Sequence, residues 1–122
     1  MNLFSQIDKG QWAENLACRY LRTQGLCLLE RNYRCKVGEV DLIMQYQQIL
    51  VFVEVRYRAS QRYGGGIASV DFRKQQRLLA TAAYYLQTHR QSRQSACRFD
   101  VVSINGEQKA PSIQWITDAF RG

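Results

Sequence analysis

The chain has 122 residues, 46% hydrophobic and 22% charged, the make-up of one folded domain (1–122) that buries its own core. Seventeen Lys and Arg stand against ten Asp and Glu, and the net charge of +7 suits a polyanionic partner such as nucleic acid. Cys18, Cys27, Cys35 and Cys97 form no CxxC pair and His89 is far from them, which argues against zinc or redox chemistry and for core thiols of a reduced protein.

The amino terminus, MNLFSQIDKG, lacks the pattern of a signal peptide, and no segment is long enough for a membrane span, so a cytoplasmic location is expected. Asp8 and Gln11 have capping-box spacing and predict a helix. Ala13, Leu16, Ala17, Tyr20 and Leu21 give that helix an apolar face, and Gly25 ends it. Glu14 lies at the border of this face, where it either turns toward a sheet edge or stays in water near the helix start.

Leu26–Arg34 reads as a strand, followed by two strand-like runs in GEVDLIMQYQQILVFVEVRYR, residues 38–58. Centring the turn on Gln47 and Gln48 sets Val40 against Val55, Leu42 against Val53 and Met44 against Val51, all on one side. On the other side Ile43 meets Phe52, Asp41 meets Glu54 and Glu39 meets Arg56. Directly opposed carboxylates would have Cβ atoms about 5 Å apart and repel unless a proton or cation lies between them. Two readings follow. One is a Mg²⁺ site that hydrolyses phosphodiesters. The other is a charge cluster in which Arg56 neutralises the acids without a metal.

The glycines Gly64 to Gly66 mark a loop without the GK[ST] ending of a phosphate-cradling motif. A second helix is predicted from about Asp71 to Thr88, with Phe72, Leu79, Ala82, Ala83 and Leu86 on its apolar face. Arg73, Lys74 and Arg77 occupy its other side, as a solvated or phosphate-facing stripe. QTHRQSRQSA is a polar connection, CRFDVVSIN a fourth strand, and SIQWI, after Pro111, a last strand. The order α-β-β-β-α-β-β predicts an α/β fold, a mixed sheet flanked by helices with one parallel crossover.

GQWAENLACRYLRTQG, NYRCKVGEVDLIMQ, VFVEVRYR, YGGGIASVDFRKQQRLLATAAYYL and CRFDVV, in this order and spacing, resemble the YraN family of uncharacterised bacterial proteins. The likeness runs from Gly10 to Phe120. It implies a restriction-endonuclease-like fold, akin to archaeal Holliday-junction resolvases and built around the PD-(D/E)xK pattern. By that resemblance Asp41 and Glu54 are the two acids, Glu14 completes the metal site, and Arg56 stands where the catalytic lysine is usual. Val40 replaces the proline before the first acid, and Glu39 belongs to the family's GE-[VI]-D motif.

The leading expectation is therefore an endonuclease dependent on Mg²⁺ or Mn²⁺ and acting on DNA. Asp41, Glu54 and Arg56 would be catalytic, Glu14, Asp41 and Glu54 would hold metal, and Arg58, Arg73, Lys74 and Arg77 would grip backbone. Resolvase-like relatives act as dimers, so a homodimer is part of what the resemblance implies. The alternatives are a catalytically inactive nucleic-acid-binding module with Arg56 in the metal's place, and a protein-interaction domain whose positive charge meets an acidic partner.

Overall fold

The computed structural model describes residues 9–59, 70–89 and 94–122. Its elements are α1 (Lys9–Thr23), β1 (Cys27–Cys35), β2 (Gly38–Tyr46), β3 (Ile49–Arg58), α2 (Phe72–Thr88), β4 (Ala96–Asn105) and β5 (Ser112–Phe120). The strands form one sheet in the order β1-β2-β3-β4-β5, flanked by the two helices. All neighbours are antiparallel except β3 and β4, the parallel pair joined through α2. This is the mixed sheet expected from the order of elements. Asp8 and the triple-glycine loop lie outside the described residues.

Local chemistry explains the helix ends. Gly25 takes φ +98°, its N–H donates to the Arg22 carbonyl, and the Leu26 N–H donates to the Leu21 carbonyl. This pair of bonds is a Schellman cap, and Leu26 and Leu21 meet in the core as that motif favours. Asp71 caps α2, its Oδ1 accepting the Lys74 N–H at 2.8 Å.

The core has two halves. Ala13, Ala17, Cys18 and Leu21 of α1 pack with Leu42, Met44, Val51, Val53, Val102 and Ile104 on one side of the sheet. Leu78, Ala82 and Tyr85 of α2 pack with Ile43, Phe52, Val101 and Phe120 on the other.

Three expectations need correction. The buried stripe of α2 is Leu78, Thr81, Ala82 and Tyr85, whereas Phe72 is 73% exposed and Ala83 is exposed. Thr81 is admitted to the interior because its hydroxyl donates to the Arg77 carbonyl at 2.8 Å. It also faces Gly38, where an added Cβ would stand 2.7 Å from Thr81 Oγ1. A hydrophobic count treats Thr as polar and so rotates the predicted face. Of the cysteines only Cys18 is buried, while Cys35 is half-buried and Cys27 and Cys97 are exposed; the chain's core thiols therefore reduce to one.

The third correction concerns the hairpin. Leu42 pairs with Val53, Ile43 with Phe52 and Met44 with Val51, as the matched hydrophobics require, but toward Asp41 the pairing stops at Leu42. Val40 joins the α2 side with Ile43 and not the α1 side with Leu42 and Met44. The alternation slips at Asp41. On the neighbouring strand Asn32, between the Leu42 and Val40 partners Arg31 and Tyr33, takes φ +52°. One residue on each strand thus steps out of the pleat together, which keeps β1 and β2 in register while β2 parts from β3.

Candidate metal and nucleic-acid site

Where β2 leaves β3, Asp41 takes over the role of the lost backbone acceptor. Its Oδ2 accepts the Val55 N–H at 2.8 Å. The expected Cα pairing of Asp41 with Glu54 is absent, yet the Glu54 carboxylate lies near enough to act on the Asp41 carboxyl directly. Burial pushes the Asp41 carboxyl up to about 8. The Glu54 charge adds to that rise, the Val55 N–H opposes it, and Glu14 adds a smaller push. Burial and the neighbouring charge thus both favour the protonated form of Asp41.

Glu54 is a buried acid, its side chain 6% exposed. Lys74 Nζ lies 2.9 Å from Glu54 Oε2, and Arg56 Nε 3.6 Å from the same oxygen. Lys74 was expected to face phosphate along a helix side. Its place on the inward stripe with Leu78, Thr81 and Tyr85, four, seven and eleven residues on, instead carries its ammonium to the acid pair. Glu14, reaching from α1, is felt by Asp41 but has its own partner in Arg31, with Nη2 3.6 Å from Oε1. Among the described residues no group of three or more His, Cys, Asp or Glu side chains is gathered for a metal ion. The acid centre is thus a pair, with Glu14 at longer range.

The remaining basic residues divide. Lys74 and Arg77 line a cleft of about 480 Å³ between α2 and the β1–β2 tip, together with Arg34, Cys35, Gly38, Glu39 and Leu78. Arg58 is half-buried at the end of β3, and Arg73 is exposed on α2 outside the cleft lining. Glu39 does not meet Arg56; its Oε2 accepts from Arg34 Nε at 2.9 Å. Arg31 and Arg34 were not singled out in the sequence. Strand alternation offers no signal for them, since they stand three residues apart on β1 with polar residues at both parities. None of the described helices is long and apolar enough to cross a membrane.

Comparison with known proteins gives a consistent picture. A UPF0102 protein of Nitrosococcus oceani is 52% identical over 93% of this chain and 92% of its own length. A relative from Methylococcus capsulatus is 50% identical over 91% of this chain and 89% of its own. One from Legionella pneumophila is 43% identical over 93% and 94%. Residues 13–104, which carry most of α1, the hairpin acids, α2 and nearly all of β4, match the uncharacterised protein family UPF0102, the YraN family, and the chain belongs to it.

Proposed function

We propose that this protein is a divalent-metal-dependent nuclease-like enzyme acting on nucleic-acid phosphodiesters, DNA foremost. The observation that carries the reading is the Asp41–Glu54 pair, held together although one member is kept from ionising by burial and by the other's charge. A hard cation between the two carboxylates relieves that repulsion, as a proton does. Mg²⁺ and Mn²⁺ take oxygen donors, and Mg²⁺ is commonly held by one or two carboxylates with water and substrate phosphate completing its shell. Asp41 and Glu54 fit as those donors, with Glu14 near enough to add charge. When bound, the ion supplies acidity for an attacking water and positive charge against the phosphate.

The chain's own groups do the rest. The Val55 N–H fixes one Asp41 oxygen, leaving the other for the cation side. Arg56 is a permanent cation and a poor base, so its part is to face phosphate charge. Lys74 supplies the lysine chemistry that the strand position lacks, from the helix: an ammonium on Glu54 that orients water and yields a proton more readily than a guanidinium. Arg58, Arg73 and Arg77 add backbone contacts.

A second reading has a specific observation in its favour. Lys74 and Arg56 both lie on Glu54, which lets a catalytically silent binding module satisfy that acid without an ion. Thermal melting separates the two. On the enzyme reading Mg²⁺ or Mn²⁺ raises the melting temperature of wild type, by the equivalent of about 2.7 kcal/mol at a hundredfold excess over Kd. Asp41→Ala abolishes the rise, and Glu54→Ala abolishes cleavage of linear and branched DNA. If neither ion shifts wild type while both stabilise Arg56→Ala or Lys74→Ala, the cation occupies the metal's place and the nuclease reading is dropped.

A further inference from the structure

We propose that the cleft between the β1–β2 tip and α2 is a binding subsite for one backbone phosphate of a nucleic-acid strand, guarded by Glu39. It rests on the nucleic-acid reading above and adds a place and a gate to it. Three cations, Arg34, Lys74 and Arg77, line the cleft against one carboxylate, Glu39. That carboxylate holds Arg34 at 2.9 Å, with the two side chains 76% and 56% exposed. An ion pair so open to water contributes little, so Arg34 changes partner at small cost. A phosphate oxygen offers the guanidinium a fork-matched partner, and Glu39 repels that phosphate until the exchange occurs.

The walls are built to stay close. Gly38 has no room for a side chain, since a Cβ would meet Thr81 Oγ1 at 2.7 Å, and this seats the hairpin tip directly on α2. Lys74 belongs to both places, lining the cleft and reaching Glu54 at 2.9 Å. A phosphate in the cleft therefore adjoins the acid pair, as the next phosphate of a strand would if its neighbour sat at Asp41 and Glu54. Glu39 is then a gate and not a metal donor: its partner is Arg34.

The test uses the full chain, in EDTA, and a fluorescein-labelled DNA duplex followed by anisotropy across a salt series. Both altered residues are exposed, so the variants fold. Glu39→Gln tightens binding several-fold, Arg34→Ala lowers the slope of log affinity against log salt by about one unit, and the double variant behaves as Arg34→Ala. Alkylation of Cys35, half-buried in the cleft, is slowed by the duplex and far less by inorganic pyrophosphate. Unchanged or weaker binding by Glu39→Gln overturns the gate, and an unchanged slope in Arg34→Ala overturns the subsite. Equal protection of Cys35 by pyrophosphate makes it a site for free phosphates and overturns the strand assignment. Wild type that does not bind the duplex at all sinks the nucleic-acid reading itself, whereas wild-type binding indifferent to both substitutions sinks only the cleft.

Discussion

Asp41 and Asp100 are both aspartates on the sheet, and their surroundings are opposite. Asp100, side chain fully buried, is surrounded by donors. Arg98 Nε donates to Oδ1 at 3.0 Å and Nη2 to Oδ2 at 3.1 Å, Trp115 Nε1 donates to Oδ2 at 2.9 Å, and the Asp118 N–H to Oδ1 at 2.9 Å. Asp118 reaches this position with φ +52° at an irregularity where β5 shifts register against β4. Asp41 has one backbone N–H and another carboxylate for company. A satisfied buried charge ties strands together. An unsatisfied pair invites a proton or a cation, and that difference separates architecture from the candidate site.

The comparison can be broken most forcefully at Asp100. Asp100→Ala leaves the Arg98 guanidinium, the Trp115 N–H and a strand N–H without their acceptor, and removing one partner of a buried pair costs about 3–5 kcal/mol. The urea midpoint should fall accordingly, with no change in any metal-induced rise in melting temperature beyond the lower baseline. A small loss would mean that the four hydrogen bonds stabilise far less than their geometry implies.

At Asp41 the expected behaviour is a pH dependence. The unfolded chain releases this proton near the usual carboxylate range, whereas the folded protein keeps it up to about 8. Between those values the folded state binds more protons, so in EDTA stability falls as pH rises through the window. Asp41→Asn mimics the neutral carboxyl and still accepts the Val55 N–H. It should melt as wild type does near pH 4 and clearly above it near pH 8. Wild-type metal affinity should climb over the same window, because the cation must displace the proton. Parallel melting curves for the two proteins across this range would show that Asp41 ionises normally.

The smallest effect belongs to Lys74. Lys74→Met retains the stem on the inward stripe and leaves Glu54 with Arg56. Because the Lys74 side chain is one-third exposed, screening limits the loss to about 1 kcal/mol in EDTA. The stabilisation produced by Mg²⁺ should grow, since the pair is then shorter of positive charge. An unchanged Mg²⁺ response would separate Lys74 from the cation site.

What the sequence determined by itself are the elements and their pairing partners. Gly25 ends α1 because only a left-handed residue completes that cap, and Leu42, Ile43 and Met44 choose Val53, Phe52 and Val51 because a slip would turn apolar residues outward. That register also sets Asp41 and Glu54 on neighbouring strands, one step beyond its last pair. What only the tertiary structure decided depends on departures from period. The slip at Asn32 and Asp41 moves Val40 across the sheet and trades a ladder bond for a carboxylate. The bare Gly38 lets Thr81 turn inward, which rotates α2 and sends Lys74 to Glu54 while Phe72 faces water. Periodicity records the average direction of side chains along an element. A single irregular residue, or one polar group satisfied by its own helix, redirects them through contacts that arise only once distant segments have packed.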